Sequence, residues 1–326
     1  MRVFGKWLGR FLAAVLLVGG IVWIAGPREP VNVAASFDER RFGEGVQVFL
    51  ESTESVFDDI RAANEKRIVW AQGRERKTRY SVVYLHGFSA SAEEIRPVPD
   101  QVARALGANL FFARFAGHGR TGEALATARV EDWMQDAAEA MAVGRAIGEE
   151  VIVISTSTGG TIAALAALDP EMRKGIRGMV FVSPNFGINN PAAALLTWPA
   201  ARYWVPLLVG KTRSFEPRNA LQAANWTTSY PTVAALPLAA IVKYAVAQDY
   251  SGVGIPALFY YSDADKVVVP ARTHEVMARW GGPVTQVMAE PAEGVDDLMH
   301  VIAGNIISPA NTDRSVNMIL SWIGGL

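Results

Sequence analysis

The chain has 326 residues, half of them hydrophobic, with 31 Lys plus Arg against 32 Asp plus Glu for a formal charge of −1. That is enough apolar material for one large α/β domain or two small ones, and the near-neutral balance supplies no field for nucleic acid, which is not expected as a partner. Cysteine is absent and histidine is limited to His86, His118, His274 and His300 with no H-E-x-x-H pairing, so disulfides and thiolate metal sites are excluded and no metal is expected.

The first thirty residues, MRVFGKWLGRFLAAVLLVGGIVWIAGPREP, place Arg2, Lys6 and Arg10 ahead of an uncharged run from Phe11 to Pro27. As a helix that run is roughly 25 Å long, close to the thickness of a bilayer's hydrocarbon core. Trp7 and Trp23 sit where interfacial anchors would. With cations before the run and only Arg28 and Glu29 just after it, residues 1–30 are expected to be a membrane anchor with the rest of the chain extracytoplasmic. The alternative is a signal peptide cleaved after Val33-Ala34-Ala35, leaving a secreted protein; that position lies past Pro27 and Pro30, far behind the apolar run.

A polar connecting segment (31–65) leads into a domain expected over 66–326. There, β-branched and aromatic runs alternate with segments of helical period, the pattern of a mostly parallel sheet covered on both faces. Strands are expected at Arg67–Ala71, Tyr80–Leu85, Asn109–Phe115, Val151–Ile154, Gly178–Ser183, Ala257–Ser262 and Val284–Met288. Gly73–Arg76 reads as a hairpin turn joining the first two. Helices are expected at Val98–Leu106, Val130–Ile147, Gly160–Leu168, Ala271–Trp280 and Val316–Ile323. One interval, about 187–255, is too long for an ordinary crossover. It is rich in aromatic and apolar residues, among them Trp198, Trp204 and Trp226, and holds only two acids, Glu216 and Asp249. It reads as a helical lid insertion over an apolar pocket, or as ordinary packing against the sheet.

The stretch VIVISTSTGGTIAALAAL (Val151–Leu168) runs from a strand into a cluster of hydroxyls, two glycines and a helix. A nucleophile elbow, G-x-S-x-G, demands small residues two before and two after the nucleophile, because strand and helix nearly touch at the turn. Centring on Ser157 puts Ser155 and Gly159 in those slots. Centring on Ser155 or Thr158 places Val153 or Thr156 there, and both are β-branched. Ser157 is therefore the expected nucleophile, with Ser155 standing where the first glycine of the motif usually is. A phosphate cradle needs a lysine after the last glycine or a G-x-G-x-x-G run, and neither is present.

In folds carrying this elbow the acid follows the nucleophile and the histidine follows the acid. Of Asp263 and Asp265 in SDADKVVVP, Asp265 is the better acid, because Asp263 lies where a turn residue is expected. His300, in the loop DDLMHVIAGN, is the expected base; His274 falls on a helix.

These segments, with VVYLHGFSAS (Val82–Ser91), RFAGHGRTG (Arg114–Gly122), EDWMQD (Glu131–Asp136) and HVIAG (His300–Gly304), resemble serine hydrolases of the α/β-hydrolase superfamily. The branch is that of monoacylglycerol lipases, lysophospholipases and lidded carboxylesterases. The resemblance implies an α/β-hydrolase fold, an oxyanion hole made by the backbone N–H groups of Phe88 and Thr158, and turn-forming roles for His86 and His118. It further implies a Ser157–His300–Asp265 triad that cleaves a small-molecule or lipid acyl ester, with no cofactor. The lid's cations, Arg202, Lys211, Arg213, Arg218 and Lys243, outnumber its acids, which disfavours an aminopeptidase that must hold a free amine. Acyl transfer to another alcohol, peptidase activity and a non-catalytic binding module on the same fold remain alternatives.

Overall fold

The computed structural model describes residues 2–326. In chain order the strands are β1 (Arg67–Val69), β2 (Thr78–Leu85), β3 (Asn109–Phe112), β4 (Gly148–Thr156), β5 (Ile176–Val182), β6 (Thr212–Ser214), β7 (Ser229–Pro231), β8 (Ala257–Tyr261) and β9 (Val284–Met288). The helices are α1 (Arg2–Ala25), α2 (Val46–Glu54), α3 (Val98–Leu106), α4 (Gly122–Thr127), α5 (Val130–Ile147), α6 (Thr158–Leu168), α7 (Ala201–Val209), α8 (Ala220–Asn225), α9 (Ala235–Val246), α10 (Pro270–Met277) and α11 (Thr312–Ile323). Seven strands form one sheet in the order β1-β3-β2-β4-β5-β8-β9. Its neighbours are parallel except β1, which runs antiparallel to β3.

The central strands read as unbroken apolar runs because both faces are buried. Val83, Leu85, Val153 and Phe181 face the layer containing α5, α6 and α9. Their neighbours Val82, Tyr84, Ile154 and Val182 face the layer of α3 and α11. Helix α6 is buried nearly all round, and its alanines let it lie close to the sheet.

The hairpin expected at Gly73–Arg76 is not formed: β1 pairs with β3, and β2 lies on β3's other side. Asn109 explains the crossing. Its side chain accepts from Ala71 N (2.9 Å) and donates to Arg76 O (2.7 Å) and Ile147 O (2.8 Å), so the connection passes over the start of β3.

The connecting segment is folded against the body. Phe37, Phe42 and Phe49 pack their rings 5.1–5.5 Å apart on the larger core. At the end of α2, the Glu54 carboxylate accepts from Arg114 Nε (2.8 Å) and Nη2 (2.7 Å) and from Lys66 N (2.8 Å).

The long interval between β5 and β8 divides in two. Its last helix, α9, contributes Ile241, Val242 and Ala245 to the core of the body. The part before it forms a cap, whose Ala201 and Val205 cluster with Leu236 from the first turn of α9. Helix α1 stands outside the body with its apolar side chains exposed. Where it ends the chain is fastened to the cap: Ala200 N donates to Pro27 O (2.6 Å), Arg202 pairs with Glu29 (2.6 Å), and Trp198 meets Trp23 edge-on at 5.4 Å.

Candidate active site

Parallel strands deliver their following loops to one edge of the sheet, and the chemistry-bearing residues gather there. Strand β4 ends at Thr156, and α6 begins at Thr158, leaving Ser157 alone at the corner with φ +52°. A non-glycine residue there is strained, and such strain is held only where the surroundings over-determine it. Ser157 N donates to Val182 O (3.0 Å), while Ser157 O accepts from Gly160 N (2.9 Å) and Asn185 N (2.9 Å). Gly159 shows why the second small slot is obligatory, since a Cβ there would lie 2.2 Å from Leu85 O. Ser155 fills the first slot within the strand, and its hydroxyl donates to Val180 O at 3.0 Å.

His300 Nε2 lies 2.9 Å from Ser157 Oγ, and His300 Nδ1 lies 2.8 Å from Asp265 Oδ2. The other Asp265 oxygen accepts from Val267 N (2.7 Å) and Val268 N (2.9 Å), which fixes the carboxylate toward the ring. The histidine loop is held by Asp296, a residue that sequence reasoning passed over: its Oδ2 accepts from His300 N (3.1 Å) and Val301 N (2.9 Å). Arg218 of the cap reaches Asp296 Oδ1 at 2.6 Å and so ties the cap to this loop. Burial pushes the His300 imidazole toward neutrality, but the charges of Asp265, Glu94 and Asp296 outweigh it and leave its pKa raised.

The other histidines stand apart from this relay. His86 is fully buried, accepts from Phe115 N (3.1 Å) and faces Gly87 O (2.8 Å); burial lowers its pKa to about 4. His118 is likewise driven well down by burial. His274 makes an exposed pair with Asp263 at 3.0 Å. Phe88 packs edge-on against Tyr230 of the cap, with ring centroids 5.5 Å apart. Neither Phe88 N–H nor Thr158 N–H donates to a partner among the described residues. Two unpaired donors beside a serine suit a developing oxyanion.

Between cap and body lies a cavity of about 470 Å³. Its walls include Ile188, Leu196, Trp204, Leu208, Leu238 and Val267. Val267 is two residues from Asp265, whereas Ser157 is not part of the wall, so the cavity flanks the relay without enclosing it. Arg213 and Lys266 are the charged groups of the lining, and it carries no carboxylate among the described residues.

A protein-family profile, Hydrolase_4, described as "Serine aminopeptidase, S33", matches residues 76–290. Among solved structures, the chain is similar to one from the metagenome-derived lipolytic enzymes LipS and LipT, with 19% identity over 82% of this chain and 100% of that one and a TM-score of 0.65. It is also similar to the monoacylglycerol lipase of Paleococcus ferrophilus (13% identity, 79% and 97% covered, TM-score 0.54). A soluble variant of the monoglyceride lipase of Saccharomyces cerevisiae is a further match (13%, 80% and 90%, 0.55). No curated protein matches the chain.

Proposed function

The chain belongs to the Hydrolase_4 family of the α/β-hydrolase superfamily, and on that premise we propose that it is a carboxylic ester hydrolase acting on acyl esters or monoglyceride-like lipids. The observation that carries the reading is the relay from Ser157 Oγ through His300 to Asp265, with steps of 2.9 and 2.8 Å. In this reading Ser157 attacks the acyl carbonyl as its proton passes to His300 Nε2. Asp265 holds Nδ1–H and stabilises the imidazolium. The N–H groups of Phe88 and Thr158 receive the oxyanion, and loss of one such donor costs about 2.7–4 kcal/mol of transition-state stabilisation. His300 returns its proton to the departing alcohol, and water then releases the acid by the same route.

Substrate class is argued from the cavity. Its apolar walls suit an acyl chain, and a free α-amine finds no carboxylate there, so an ester is favoured over an aminopeptidase substrate. Helix α1 is read as a membrane anchor. Its run Phe4–Ala25 has 22 residues and a mean hydropathy of 2.1, about 33 Å of helix, and its cation-bearing end is placed on the cytoplasmic side. Because the chain leaving α1 is fastened to the cap, the exposed Tyr203, Leu207 and Leu208 of α7 lie near the bilayer, where acyl lipids concentrate.

The test is a substrate panel with the full chain in detergent: p-nitrophenyl acyl esters, monoacylglycerols and aminoacyl amides. Turnover of the first two, abolished by a fluorophosphonate, is expected. Turnover confined to aminoacyl amides contradicts the reading.

A further inference from the structure

Glu94 is 3% exposed and makes no ion pair among the described residues. Its neighbour Glu93 behaves as a surface acid should, meeting Arg67 and Arg96 at 2.6 Å each. The Glu94 side chain instead turns inward under the segment that follows β2. Its Oε2 accepts from Gly87 N (2.7 Å) and from the Tyr84 hydroxyl (3.1 Å). The same Tyr84 hydroxyl lies 3.1 Å from Thr156 Oγ1, one residue before Ser157. A Cβ placed on Gly87 would sit 2.7 Å from Glu94 Oε1 and 3.1 Å from Ser157 Cβ. Carboxyl, glycine and nucleophile are therefore packed against one another with no room between them.

A carboxyl group buried without a cation is costly, and a core position offers no reason to keep one unless its hydrogen bonds do something an apolar side chain cannot. Here they join two separate pieces of backbone. One is the 86–88 segment, where the bond to Gly87 N–H and the close approach of Glu94 and Ser157 around Gly87 pin the residue next to Phe88; the other is the nucleophile elbow, reached through Tyr84 and Thr156. We propose that Glu94 is a positioning residue of the acyl-transfer site, locking the segment that carries the Phe88 N–H to the elbow that carries Ser157 and the Thr158 N–H. The inference rests on the serine-hydrolase reading above.

Glu94 also adds a pH response. The groups facing it are Tyr84 from β2 and His300 from the loop after β9, with Glu93 adjacent in its own segment and paired outward. Burial pushes the Tyr84 phenol well up, so it stays a neutral donor. Burial raises Glu94 to about 7, against the pull of Gly87 N–H, His300 and Tyr84. The Glu94 charge in turn favours the His300 imidazolium. Each charge thus favours the charged form of the other, and protonating Glu94 also weakens the acceptor that holds Gly87 N–H.

The experiment compares the full chain with Glu94→Gln, Glu94→Ala and Tyr84→Phe in detergent, reading kcat and KM on p-nitrophenyl butyrate from pH 5 to 9 together with Tm. Glu94→Ala is expected to lose roughly 10–100-fold in kcat with KM changed less than about threefold, since the displaced donor acts mainly in the transition state. Glu94→Gln keeps an oxygen acceptor for Gly87 N–H and is expected to retain most of kcat. Its acid limb should move to lower pH and become a single ionisation. Tyr84→Phe should fall between. If Glu94→Ala does not fold, the Glu94→Gln profile carries the test alone. An active parent with an unchanged acid limb in Glu94→Gln, or a lowered Tm with unchanged kcat in Glu94→Ala, overturns the inference. A parent that hydrolyses no ester and takes no fluorophosphonate overturns the underlying reading, and this inference with it.

Discussion

Asp263 and Asp265 lie two positions apart on one turn, yet Asp265 is buried against His300 while Asp263 is exposed beside His274. The sequence separates them only in that Asp263 lies where a turn residue is expected; the structure adds that Val267 and Val268 supply the two N–H groups holding the Asp265 carboxylate. Asp265→Asn is expected to lower kcat by about 10⁴ by favouring the wrong tautomer, whereas Asp263→Asn should leave it within about twofold; the reverse order of effects would move the acid to Asp263. Ser157 is legible for a similar reason, since the elbow's small slots are a steric demand written locally, and Ser155 meets it with a hydroxyl bonded to Val180 O. Ser155→Gly should therefore keep activity within a few-fold, read as kcat/KM on an acyl ester. His300 is raised by its surrounding carboxylates, and only its neutral form accepts the Ser157 proton. Activity should fall as pH drops through that raised value, and Asp265→Asn should shift the residual profile to lower pH. Glu94 and Asp296 escape sequence reading because burial, which gives each its consequence, arises from contacts made across the fold.

Strands of the central sheet announce themselves through unbroken apolar runs, but their pairing depends on residues far apart. The Gly73–Arg76 turn looks like a hairpin in isolation; Asn109, more than thirty residues on, supplies the bonds that send the chain across β3 instead. Of its apolar side chains helix α2 buries only Val46, Phe49 and Leu50, one short i, i+3, i+4 set inside a polar segment, and its far end is held by an ion pair that no local pattern announces. Its Glu54 carboxylate faces the buried Arg114 guanidinium, so Glu54→Gln leaves a cation without its partner and is expected to cost about 3–5 kcal/mol, measured by denaturant unfolding. The three cap tryptophans, equivalent by composition, occupy unlike places. Trp204 lines the cavity, Trp198 is half exposed against Trp23, and Trp226 is buried with its carbonyl accepting from Arg61. Trp204→Ala should change acyl-chain preference while Trp198→Ala leaves it alone, as read by kcat/KM across esters of increasing length. Equal effects from both would make the cap a packing element only.

Taken as a molecule, the protein couples an exposed apolar helix to a cap and the cap to the histidine loop, through Glu29–Arg202 and Arg218–Asp296. With α1 in a bilayer, protease added to the outer side is expected to release the catalytic body from intact cells, and a body protected there would reverse the proposed orientation. Stability should decline with rising pH. Glu94 is raised from 4.5 to about 7, so the folded form holds a proton that the unfolded chain has lost across that window. His300, also raised, contributes stability below its unfolded value that disappears as pH rises through the folded one. Glu94→Gln should flatten the fall in Tm between pH 5 and 8. The central claim, that a serine on the elbow carries acyl chemistry, is tested most directly by intact-mass measurement after exposure to a fluorophosphonate. One adduct on the parent chain and none on Ser157→Ala, with ester turnover lost in both, is the predicted result; an adduct that persists on Ser157→Ala, or a parent that hydrolyses esters while remaining unlabelled, would contradict it.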